Sequence, residues 1–275
     1  GNSLAAKVGG NSASSQGASL WAGAGTFTQG TSTLVMEGTN KKINFLDNEE
    51  LKNLTCSGSI TLDGINAGDD LKINGNINIS GSLASEENEK LFVQGGSITF
   101  AVGTAATSIA NLTNLIIANP TTVTLPALTT KQVQMDSGGT ATAGGDITLT
   151  NKLLINSGGS FNGNGNTINV KNTDVNGTGT LDLRNSTLNF YTGASDVWTM
   201  TSTSTLTTGN TTVTGDSTRT PTNIPESAGG GFEIVGNVSN LDVTGDLTVI
   251  GSVTNCTGNI RQFHHTLDTQ QLLDA

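Results

Sequence analysis

WAGAGTFTQGTSTLVM, residues 21–36, aligns without a gap on VNGTGTLDLRNSTLNF, residues 175–190. Gly23, Gly25 and Thr26 fall on Gly177, Gly179 and Thr180, and Ser32, Thr33 and Leu34 fall on Ser186, Thr187 and Leu188. Phe27 and Met36 fall on Leu181 and Phe190, so apolar positions stay apolar. A second pair, LKNLTCSGSITL (51–62) and VSNLDVTGDLTV (238–249), repeats the pattern, as do INGNINISGSL (73–83), VTGDLTVIGSV (243–253) and AGGDITLTNKL (143–153). A chain of short repeated units is an architecture in its own right.

The unit reads Gly, polar, apolar, polar, apolar, polar, then Gly or Asn, as in Gly58-Ser59-Ile60-Thr61-Leu62-Asp63-Gly64. Period-two alternation marks a half-buried strand. Ile, Val, Thr and Phe favour strands, while Gly, Asn and Asp supply the turns between them. The pattern places Ile60, Leu62, Leu71, Ile73, Ile77, Ile79, Leu241, Val243, Leu247 and Val249 inward. Trp21, Phe27, Phe161 and Phe190 fall on inward positions as well. The acidic stretch between Leu83 and Phe92 reads as a loop rather than a helix.

Short strands between regular turn signals fit a sandwich, a barrel or a solenoid. Repetition selects an all-β, repeat-containing parallel β-solenoid, because a lone coil cannot bury its inward face and coils must stack. Tandem β-sandwich modules are the alternative, since the clearest repeat distances are long and unequal. Small residues at corners allow close stacking, and the Asn-rich run from Asn162 to Asn176 suits amide ladders between coils. The chain divides into an extended N-terminal arm at 1–20, a β-repeat region at 21–258 with a possible hinge at 216–231, and a C-terminal linker or start of a further segment at 259–275. The small, polar arm is expected to lie across a neighbouring copy.

Composition narrows function. Glycine contributes 36 of 275 residues and proline only 4, and charged residues make up 12%. That charge content is about half the usual share, which leaves a surface of Thr, Ser, Asn and Gln suited to an extracellular location. The net charge of −10, with Arg184, Arg219 and Arg261 scattered, argues against nucleic acid. No apolar run is long enough to span a bilayer as a helix.

Catalysis needs a base or nucleophile in a tuned setting. The two histidines, His264 and His265, are adjacent, and neighbours on a strand point to opposite faces. Asp63, Asp69 and Asp70 are the densest carboxylate group within a repeat. Cys56 and Cys256 occupy similar repeat positions and read as small buried hydrophobes. Trp198 and Tyr191 are the aromatics that could face outward as a glycan platform. The expectation is a non-enzyme with no catalytic residue, no metal and no cofactor.

The strings GAGTFTQGTSTLVMEG, LKNLTCSGSITLDG and INGNINISGSL resemble the Gly/Thr/Asn-rich β-repeats of tailed-phage structural proteins and bacterial surface adhesins. The resemblance covers residues 21–258 and transfers no functional residue. It implies a structural protein of a virion (tail fibre, decoration or capsid-associated) or an extracellular filament. Its implied partners are copies of itself and other virion or surface proteins. An adhesin binding glycan is the alternative, and a polysaccharide depolymerase a lesser one.

Overall fold

The computed structural model describes residues 6–8, 18–19, 30–45, 47–100, 109–118, 121–190, 198–200, 204–207, 212–215, 232–235, 238–239, 242–250, 253–254 and 257–263. Among these residues every strand pairing is parallel. The protein is a parallel β-solenoid. Tandem sandwiches, built from antiparallel sheets, are thereby excluded.

From Thr33 to Met200 each coil contributes one segment to each of three faces. The first face is formed by Thr33–Met36, Asn53–Cys56, Ile77–Ile79 and Ile98–Phe100, then by Thr122–Leu125, Thr140–Ala143, Ser160–Asn162, Thr180–Asp182 and Thr205–Thr207. The second begins with Lys41–Phe45, Ser59–Gly64 and Ser82–Ser85. It then passes through the short turn at 109–112, where the Ser85 N–H donates to Asn111 and the Lys131 N–H to Leu112. Beyond that turn the second and third faces share long strands, Leu128–Met135, Ile147–Ile155 and Thr167–Val175. The register shifts within the first two of these, between Thr130 and Gln132 and between Leu149 and Lys152, where the chain passes from one face to the next.

Alternation fixes which side chains enter the core. Ile60, Leu62, Leu71, Ile73, Ile77 and Ile79 are all buried, as the sequence pattern predicts, and so is Phe161. Parallel in-register pairing then stacks like on like. Leu71 lies beside Leu91, then Leu115, Val133 and Leu153. Leu128, Ile147, Ile168 and Leu188 form a second apolar column. Burying each such side chain is worth about 1.5–3 kcal/mol, and the gain recurs with every coil. Leu241 lies outside the described residues, as do the side chains of Val243, Leu247, Val249 and Phe190. Trp21 and Phe27 also lie outside them.

Glycine sets the corner between the first and second faces. A Cβ on Gly58 would stand 1.8 Å from the Gly38 oxygen, and one on Gly81 would stand 2.1 Å from the Gly58 oxygen. The contact is that close because the backbones bond directly there: the Ser59 N–H donates to Gly38 and the Ser82 N–H to Gly58. A different device turns the chain from the third face back to the first. Asp-Ser-Gly-Gly-Thr at 136–140 and Asn-Ser-Gly-Gly-Ser at 156–160 each close a turn, with the Gly139 N–H on Asp136 and the Gly159 N–H on Asn156. Gly138 and Gly158 take φ of 79° and 78°, a region costly for residues with a Cβ.

The acidic stretch forms no helix. Strand Ser82–Ser85 leads through a bend at 86–88 into strand Lys90–Val93. At the beginning of the fold, Ala6–Val8 pairs with Thr33–Met36, and Ala18–Ser19 with Lys41–Phe45, within the same chain. At the far end Phe232–Val235, Asp242–Ile250 and Thr257–Phe263 form a separate three-stranded parallel sheet.

Candidate functional site

Among the described residues, those that sequence reasoning singled out do not converge. Asp63 lies on the outer side of the second face, accepting from Asn44 Nδ2 and within ion-pair distance of Lys42. Asp70 is on the third face, paired with Lys90 at 3.0 Å. Asp69 is buried in the turn between them, where its Oδ2 accepts the Asn66 N–H at 2.9 Å. Its Cβ lies against Gly64, where any added Cβ would come within 2.7 Å. Asp69 therefore shapes a turn rather than facing solvent. Among the described residues no three His, Cys, Asp or Glu side chains gather as a metal site.

Glu89 occupies the equivalent place one coil on. It is 1% exposed and accepts the Glu87 N–H at 2.7 Å. Sequence reasoning missed this role. The available signal was the position of Asp69 and Glu89, each two residues before the inward leucines Leu71 and Leu91. Cys56 is a free, fully buried thiol stacked between Met36 and Ile79, and desolvation pushes its pKa up to about 12. It behaves as the small hydrophobe the sequence suggests, while Cys256 lies outside the described residues. The backbone of Trp198 pairs in register with Thr173, and its side chain lies outside the described residues. Tyr191, His264 and His265 lie outside the described residues.

What the surface does offer is repetition. On the first face, Thr122, Thr140, Ser160, Thr180 and Thr205 are successive register partners in one outward column. Thr124, Thr142, Asn162, Asp182 and Thr207 follow one another in the second. The columns begin on the earlier coils with Thr33, Asn53 and Asn76 in one, and with Val35, Thr55, Asn78 and Thr99 in the other. Between Thr33 and Thr207 the outward strand positions of this face carry one charge, Asp182. Lys7 takes the register place beyond Val35.

Asp182 is held by Arg184, whose Nε donates to Oδ1 at 3.0 Å while Nη2 donates to Oδ2. Those hydrogen bonds lower the carboxyl pKa below the usual range, and the pair is locally neutral. The other two faces differ. Lys42, Asp63 and Glu86 make a charged row on the second, and Asp70–Lys90 and Lys152–Asp174 pair on the third.

Side-chain hydrogen bonds run along the axis from coil to coil. Asn53 Nδ2 donates to Thr33 Oγ1 at 3.4 Å, and Asn53 Oδ1 accepts the Asn76 N–H at 2.8 Å. Asn76 Oδ1 in turn accepts the Ser97 N–H at 3.0 Å. On the second face Asn189 donates to Asn169, which donates to Thr148. At a turn Asn176 donates to Asn156, which donates to Asp136. These are the amide ladders that the Asn-rich sequence suggests.

Comparison of the chain with family models, with curated proteins and with solved structures finds no match.

Proposed function

We propose that this chain is a structural protein, a stiff repeated element of a virion or an extracellular filament that works by assembling with copies of itself. The observation that carries the reading is how its polar side chains are used. Asn53, Asn76, Asn156, Asn169 and Asn189 join one coil to the next. Groups committed to neighbouring coils resist local opening, because each coil is held by backbone and side-chain bonds on both sides. Such cross-linking supports mechanical and proteolytic resistance. The low charge content supports a setting outside the cytoplasm, as does the resemblance of the repeats to those of tailed-phage structural proteins and surface adhesins.

The glycan-binding reading relied on outward Trp198 and Tyr191. The Trp198 side chain and Tyr191 both lie outside the described residues, so no specific observation favours that reading. Negative-stain microscopy of the purified chain tests the proposal. Particles of one defined symmetry built from several copies are expected. Monomers at every concentration, or polysaccharide cleavage by the purified protein, would refute it.

A further inference from the structure

We infer that the first face is the surface through which two copies of this chain pack side by side, which rests on the assembly reading above and names its interface. Three observations carry this. The first is charge segregation. Ion pairs line the outer sides of the second and third faces, whereas the Thr, Ser and Asn columns of the first hold one carboxylate, neutralised by Arg184. Interface cores are depleted of charge in the same way.

The second is satisfaction. Covering a polar group is costly when its hydrogen bonds were to water. Here Asn53 and Asn76 already bond along the face, and Asn78 accepts from Thr99 Oγ1 at 2.5 Å. Further along the same columns Thr140, Thr142 and Thr180 each add a methyl group, so this surface can be dried at lower cost than a row of solvated lysines and glutamates.

The third is pitch and size. The columns repeat at the strand spacing of about 4.8 Å. A second copy of the same face has the same pitch by construction, so two copies related by a two-fold axis stay in step along their whole length, an isologous contact. From Thr33–Met36 to Thr205–Thr207 the face comprises nine strands. At that spacing it is roughly 40 Å long and about 13 Å wide, enough to bury roughly 1,000 Å² in total, at the threshold of a specific interface.

The test is sedimentation of the full chain over a concentration series, comparing wild type with Thr142→Lys/Thr180→Lys on the first face and Thr129→Lys/Thr150→Lys on the second. We expect wild type and the second-face variant to associate alike. The first-face variant should associate about a hundredfold more weakly or worse, because like charges would meet across the contact, and its circular dichroism should be unchanged. Equal association of both variants overturns the inference but leaves assembly standing. A monomeric wild type overturns both. A monomeric wild type that is pulled down by insoluble polysaccharide through the first face assigns the surface to glycan instead. Should the lysines prevent folding, maleimide labelling of Thr142→Cys replaces them, in a background with Cys56→Ala and Cys256→Ser. Its rate should fall as protein concentration rises while that of Thr129→Cys stays constant. Equal behaviour at both positions contradicts the inference.

Discussion

Thr173 shows what one hydroxyl costs in a stacked core. Its register partners are Leu153 on one side and Trp198 on the other. It is fully buried, and its Oγ1 has no hydrogen-bond partner. Thr130, buried equally, instead donates to the Leu112 carbonyl at 3.0 Å. A buried unsatisfied polar atom costs about 1–3 kcal/mol, so Thr173→Val should raise the urea midpoint, corresponding to a gain of about 1–2 kcal/mol. An unchanged or lower midpoint would contradict the orphan assignment. Cys56 makes a pH-dependent case. Its folded pKa of about 12 lies above the unfolded value of about 8.5, so its contribution is complete below about pH 8.5 and is lost as pH rises towards 12. The loss by pH 10 is on the order of 2 kcal/mol. Cys56→Ala should be less stable at pH 7 but should show a shallower decline between pH 8 and 10, measured by urea denaturation. A parallel decline would rule the thiol out as its source.

At the scale of the element, the corner glycines carry a sharper constraint than the strands. A strand position tolerates Ile or Val because both fill the column, whereas Gly58 and Gly81 have the backbone of the adjacent coil where a Cβ would go. Gly81→Ala must push Gly58 away and stretch the Ser82 to Gly58 hydrogen bond, 2.8 Å in the native chain. We expect a loss of several kcal/mol, on the order of the larger single-residue effects. Gly30→Ala, with no atom within 4 Å of the new Cβ but a φ of 56°, should cost about 1 kcal/mol. Thermal denaturation of the two variants separates steric from conformational cost. Equal melting temperatures would show that coils have slack at that corner.

For the molecule as a whole, the sequence made the class of fold legible but not its phase. The alternation that buries Ile60, Leu62, Ile77 and Ile79 is a local property and can be read residue by residue. The face to which a strand belongs depends on coil length, which no single strand records. The match of Leu34 to Leu188 therefore joins a residue of the first face to one of the second. The true period is plainer in the turns, where Asp136, Asn156 and Asn176 recur at intervals of 20 residues. The coil that follows residue 84 is longer than its neighbours. Ser85 bonds to Thr113, 28 residues away, while Thr130 bonds to Leu112 at a separation of 18. An insertion between turns leaves the stacked strands in register, so it disturbs the repeat in sequence and not in space. Dispersal of Asp63, Asp69 and Asp70 was hidden for a related reason: proximity along the chain crosses a corner, and the corner sends the three in different directions.

The central claim is that sequence separation converts into rise along one axis, and spin-label distances on the third face test it most directly. Lys72, Phe92, Ile116, Gln134, Leu154 and Asp174 are successive register partners. In a background without Cys56 and Cys256, labels replacing Lys72 and Gln134, Lys72 and Leu154, or Lys72 and Asp174 should lie roughly 14, 19 and 24 Å apart, one strand spacing added at each step. Distances measured by pulsed electron resonance that rise in this order would support a continuous parallel stack. Distances that level off or reverse between Gln134 and Asp174 would contradict it.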